Sequence, residues 1–191
     1  MTDTEISFND KRNTMNSAYI YLQIYRMFDK STPLPTDCGR FCNEACCKGD
    51  SDTGMYLFPG EKAVFDMVCP QGWSITDSEL TYKYNGKERK TPLLVCNGNC
   101  DRYFRPLACR IFPLTPILDD EGHIRIIMDP RAKSVCPLAN TYAVNELDKD
   151  FTDSVRKAFI LLSKNKHVYE FLKTYTEYIE EYNRFFKDLR G

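Results

Sequence analysis

The sequence predicts an α+β protein: a small, loop-rich, cysteine-bearing region with short β-hairpins, followed by a C-terminal helical hairpin. Three observations carry that expectation. Asn85-Gly86, a pair favoured in two-residue hairpin turns, stands between two runs of strand-forming residues. Cysteines gather in two boxes beside Pro and Gly, which is the composition of turning backbone. Beyond Asp150 the apolar residues recur at helical spacing. At 191 residues the chain can bury roughly 70% of its unfolded surface in one core.

Residues 1–14 carry charges of both signs without apolar periodicity, so a mobile arm is expected. Ala18 to Phe28 is rich in β-branched and aromatic residues, and its pattern leaves strand and short helix both open. Pro33 and Pro35 then break the pattern, which places Cys38 to Cys47 on loop or short turns. Met55 to Phe58 reads as a short strand running into a helix, with Pro59 in its first turn and Glu61 facing the positive end of the helix dipole; that helix ends near Cys69-Pro70. Leu80 to Tyr84 and Lys87 to Cys96 form the first hairpin, and Pro92 marks the second strand as an edge or as one that breaks early. Pro116 to Met128 forms a second hairpin around Asp119-Asp120-Glu121-Gly122. Phe151, Val155, Phe159 and Leu162, then Val168, Phe171, Leu172, Tyr175, Ile179, Tyr182, Phe186 and Leu189, define two amphipathic helices joined by a polar turn. The organisation expected is therefore an arm over 1–14, a cysteine-rich region over 15–140 and a helical hairpin over 141–191 packed on it as one unit.

A net charge of −1 gives no electrostatic footprint for nucleic acid. The longest apolar run, Ala158 to Leu162, is far short of the ~20 residues of a membrane span. The polar first residues contain no apolar core of a secretion signal, so a soluble cytoplasmic protein is expected, with no membrane partner. The many Tyr and Phe are read as core.

The chemistry lies in the cysteines, nine in all. They are arranged as Cys38-x3-Cys42-x3-Cys46-Cys47, then Cys96-x3-Cys100-x8-Cys109, then Cys136-Pro137, with Cys69 apart. Zinc takes four thiolates at about 2.3 Å, and iron-sulfur clusters likewise take four cysteines, so close cysteines on turning backbone supply neighbouring ligands at low entropic cost. Disulfides fit less well. The total is odd, and adjacent Cys46 and Cys47 have Cα atoms only ~3.8 Å apart, closer than a disulfide prefers. The expected metal ligands are Cys38, Cys42, Cys46, Cys47, Cys96, Cys100, Cys109 and Cys136, grouped in one site or two; Cys69 is read as a buried small hydrophobe. Arg40, Lys48, Arg105 and Arg110 are candidates to offset thiolate charge, Arg110 first among them.

Around the second box the chain reads Arg105-Pro-Leu-Ala-Cys109-Arg110-Ile-Phe112-Pro113. Here it resembles the zinc- or iron-chelating cysteine-rich domain family, the YkgJ or CxxCxxCC type. Its members carry a box ending in Cys-Cys, a Cys followed by an aromatic and an Arg-Pro-x-x-Cys-Arg-x-Phe-Pro signature, and a late Cys. The counterparts are Cys46-Cys47, Cys100 with Tyr103, Arg105 to Pro113, and Cys136; the first box departs, with three residues rather than two in each gap. The resemblance, over about residues 38–137, implies chelation of zinc or of an iron-sulfur centre. Flagellin lysine-N-methylase, a relative in that group, gives an alternative: an iron-sulfur-dependent redox or modifying enzyme. Zinc is the first cofactor expected, a protein partner is left open, and no catalytic set can be named. His123 and His167 are expected at the surface, and Asp119 to Gly122 as a solvated turn.

Overall fold

The structure, a computed structural model, describes residues 3–48, 54–68, 71–96 and 102–188. Cys69 and Cys100 lie outside the described residues, as does Leu189.

The first element is a helix, α1 (Asp3–Arg26), which runs back through most of the segment expected as an arm. Burial settles what periodicity left open: Ala18, Tyr21, Ile24, Tyr25 and Phe28 are all buried, and that three-to-four spacing is one face of a helix. After Pro33 come two short turns bearing the first cysteine box, α2 (Gly39–Cys42) and a 3-10 turn at Ala45–Cys47. Asn43 and Glu44 between them adopt left-handed backbone, φ 51° and 57°, which reverses the chain inside the box.

Strand β1 (Gly54–Tyr56) leads through Pro59-Gly60 into α3 (Lys62–Val68). Strands β2 (Trp73–Tyr84) and β3 (Lys87–Cys96) form the hairpin about Asn85-Gly86, both at positive φ as the tight turn requires. The sheet is antiparallel in the order β1-β3-β2, which corrects the reading of Pro92. Strand β3 runs unbroken through Pro92 and is central over Leu93–Val95, where β1 pairs with it. Pro92 is tolerated because it sits where β1 gives out and where the β2–β3 register shifts, and its carbonyl still accepts the Leu57 N–H at 2.9 Å. Strand β2 begins earlier than its apolar residues suggest because it is an outer strand whose Ser74, Thr76 and Asp77 face solvent.

Helix α4 (Leu107–Ile111) carries Cys109 and is followed by the second hairpin, β4 (Leu114–Leu118) and β5 (Ile124–Met128). Asp119 accepts the backbone N–H groups of Glu121 and His123 across its turn. A 3-10 turn at Pro130–Ser134, capped by Asp129, precedes α5 (Leu138–Thr141). Two long helices finish the chain: α6 (Lys149–Leu162), capped by Asp148 on the Phe151 N–H, and α7 (Lys166–Asp188).

The architecture is mixed α+β with a C-terminal helix pair. Helix α7 packs on β2 and β4, and α6 on β4 and β5. The apolar stripe of the pair is covered within the chain as far as Ile179: Phe151, Phe159, Phe171 and Leu172 are fully buried, each contributing on the order of 2–3 kcal/mol of apolar burial. Phe58 from the β1–α3 connection meets Phe159 and Phe171 edge-on, with ring centroids 4.9 and 5.8 Å away. His167, expected at the surface, is instead half-buried, stacked on Tyr84 and bonded to the Tyr82 hydroxyl at 2.7 Å. Among the described residues no helix is long and apolar enough to cross a membrane.

Candidate metal centre

Beside the start of α6 the chain folds three distant segments around one cavity of about 60 Å³. Its lining includes Cys38, Cys42 and Cys46 of the first box, Cys109 of α4, and Cys136. Part of the convergence rests on local chain reversal. The left-handed residues Asn43 and Glu44 fold the first box on itself, so that Cys46 returns to the cavity already lined by Cys38 and Cys42. The Pro130–Ser134 turn brings Cys136 back, its N–H donating to Ala132 at 2.7 Å.

Cys109 is placed by two buried charges that flank it. Glu61, fully buried, accepts the Leu107 N–H at 2.6 Å, the Tyr25 hydroxyl at 2.6 Å and the Phe58 N–H at 2.9 Å. One carboxylate thereby ties α4, α1 and the start of α3 together. Burial pushes its pKa up to about 7, against the pull of those three donors and of Arg110. On the other side of Cys109, the Arg110 guanidinium donates to four backbone carbonyls: Arg105 at 2.6 Å, Tyr103 at 2.7 Å, Arg102 at 3.1 Å and Tyr25 at 3.3 Å. It also lies over the Tyr25 ring at 4.3 Å. Arg110 was expected to face the thiols; its contacts show a clamp that fixes the backbone leading into Cys109. The guanidinium–sulfur contact belongs to Arg105, 3.9 Å from Cys47 Sγ. Arg40 and Lys48 are exposed.

The thiols differ among themselves. Cys136 is buried, Cys38, Cys42 and Cys109 are half-buried, and Cys46 is exposed at the rim. Burial, followed by the neighbouring Asp37, Cys136 and Cys42, pushes the Cys38 thiol up, and burial with Cys42 nearby does the same to Cys136. Cys46 goes the other way, drawn down by its hydrogen bond with Cys47, whose Sγ lies 4.0 Å away. No disulfide forms among the seven described cysteines. Cys96 closes β3 opposite Trp73 and is not among the residues lining the cavity. His123 is exposed and His167 lies in the β2–α7 contact, so neither lines it.

Among the described residues no three Cys, His, Asp or Glu side chains already stand as a closed ligand set. The donors nonetheless suit a thiophilic ion in kind and number: five thiols on one cavity, with Arg102, Arg105 and Arg110 in the same wall against Asp37. The residue that sequence reading undervalued is Glu61. Its signal was an acid directly behind Phe58-Pro59-Gly60 at the start of an apolar stretch, read as a helix-dipole partner rather than a buried tie.

Fold and cavity together define an α+β protein with a thiol-lined pocket. No family model, curated protein or solved structure matches the chain.

Proposed function

We propose that this is a cytoplasmic metal-binding protein in which Cys38, Cys42, Cys109 and Cys136 hold one zinc ion. The observation that supports it most is the convergence on one cavity of thiols from segments that are far apart in the chain. Grouped cysteines in a reducing compartment serve metals more often than disulfides. The four inner thiols are the more shielded ones, and four thiolates are a common complement of a structural zinc site. Such an ion supplies a crosslink that adds to the apolar cluster already joining these segments, in which Leu34, Phe112 and Leu138 meet, so its binding is coupled to the folding of this region and the thiols close on the ion as it binds. The resemblance to the cysteine-rich chelating family supports the same reading at Arg105 to Pro113. An iron-sulfur centre takes the same donors.

Metal analysis of protein purified without oxygen tests this. Near-stoichiometric zinc is expected, and Cys109→Ser or Cys136→Ser lowers it roughly tenfold or more. Iron with sulfide and absorbance near 400 nm would move the assignment to a cluster and to the redox or modifying enzyme alternative. Neither zinc nor iron at near-stoichiometric level would end it.

A further inference from the structure

We infer that Cys46 and Cys47 form a second, separate two-sulfur site that captures trivalent organoarsenicals at the mouth of the cavity. The inference deepens the proposed metal centre by dividing the first cysteine box between two sites.

Cys46 lines the same cavity as the inner four but is more exposed than they are, and Cys47 lies beside it outside the cavity lining. Both sit on the Ala45–Cys47 turn, which Asn43 and Glu44 reverse, and Cys46 is the exposed one of the cavity thiols. Their sulfurs lie 4.0 Å apart, on the same side of the turn, within reach of a single bridging atom. Arg105 approaches Cys47 Sγ at 3.9 Å, so a cation accompanies the pair. A bridging heavy atom suits adjacent cysteines better than a bond between them. Neighbouring Cα atoms are ~3.8 Å apart, below the ~4.4–6.8 Å of ordinary disulfides, so the pair resists internal oxidation.

The chemistry balances without a redox partner. An arsenoxide, R–As=O, reacts with both thiols: two As–S bonds form, and the oxygen leaves as water with the two thiol protons. Arsenic stays trivalent throughout, and no sulfur is oxidised.

Phenylarsine oxide is the probe, titrated anaerobically into the full chain as purified, with intact mass, reactive-thiol count and metal content read together. One adduct per chain is expected, with the loss of two reactive thiols and unchanged metal. It should survive excess monothiol and be reversed by a dithiol. Cys46→Ala and Cys47→Ala should each weaken it roughly tenfold or more, with circular dichroism unaltered, whereas Cys96→Ala should keep it. An adduct that persists in the Cys46→Ala/Cys47→Ala double variant, no adduct at all, or an adduct that forms only as metal leaves would each overturn the inference. Should the chain carry no metal, the thiol count and the variants still decide the arsenical site, so its failure is separable from that of the zinc centre.

Discussion

Replacing Glu61 by Gln isolates what one buried carboxylate does to this fold. Burial moves its pKa from the ordinary 4.5 to about 7 in the folded chain. Below pH 4.5 the carboxyl is protonated in both states. As pH rises toward 7 the unfolded chain gives up its proton first, so the folded state holds more protons and unfolding becomes easier with increasing pH. Above 7 both states are ionised and the loss is complete. At about 1.4 kcal/mol per pH unit the gap corresponds to about 3 kcal/mol of stability present near pH 4.5 and lost by pH 8. Gln does not titrate. Its carbonyl can serve Tyr25 and Leu107, but its amide must face the Phe58 N–H, and two opposed donors cost about 1–3 kcal/mol. The variant is therefore expected to be less stable than wild type by about 1–3 kcal/mol at pH 5, and equal to it or more stable at pH 8. Urea unfolding of both chains at pH 5, 6, 7 and 8, without oxygen and at matched metal content, measures the difference, in which every other titrating group cancels. A difference that stays constant across that range would show that Glu61 is ionised throughout, and the buried tie would have to be drawn differently.

Other outcomes follow from the same contacts. Arg110→Met removes a guanidinium whose side chain is only 5% exposed and leaves four carbonyls without it. It should destabilise the chain by about 3 kcal/mol and raise hydrogen exchange at the amides of 102–105, while an exposed control such as Arg40→Met changes neither. Cys96→Ser should retain wild-type metal content, because that thiol lies outside the cavity; a loss like that of Cys109→Ser would place it among the ligands. Burial, with Arg89 adding to it, draws the His167 pKa down, so its ring protons should titrate in NMR below the range of an unstructured histidine. Stability linked to His167 is then present at higher pH and lost as pH falls through the unfolded-state value, and His167→Phe should remove that dependence.

What could be read from the sequence is what rests on local chemistry. The hairpin at Asn85-Gly86 was legible because few dipeptides accept positive φ at both positions, and the C-terminal helices because a repeat sustained past Phe151 has one geometric solution. Helix α1 was ambiguous because its β-branched and aromatic residues suit a strand equally well; the choice is made by the surface that Tyr21, Ile24 and Tyr25 bury against. The candidate site was legible as a set of residue types and illegible as a grouping. Cys96 is closer in sequence to Cys109 than Cys136 is, yet Cys136 reaches the cavity and Cys96 does not. That outcome depends on the capped turn at Pro130–Ser134 and on β3 directing Cys96 toward Trp73, both products of tertiary packing.

The segment Arg105 to Arg110 shows how charge and geometry are made to agree at this cavity. On a helix as short as α4, successive residues point in different directions: both Cys109 and Arg110 border the cavity, but the Arg110 guanidinium is directed to backbone carbonyls, that of Tyr25 among them. Leu107, two residues before Cys109, fixes the helix start through its N–H on Glu61. A thiol held between two buried tethers cannot drift without breaking one of them. The tethers also set the local field. Glu61 is opposed by Arg110, while Arg102 and Arg105 exceed Asp37 in the cavity wall, leaving a formal excess of positive charge facing the thiols. Four thiolates around a divalent cation leave a net charge of −2, and a wall of that sign reduces the cost of burying it. Arg102 and Arg105 would offset part of the charge of the proposed thiolate centre, the Arg110 guanidinium being spent on the backbone.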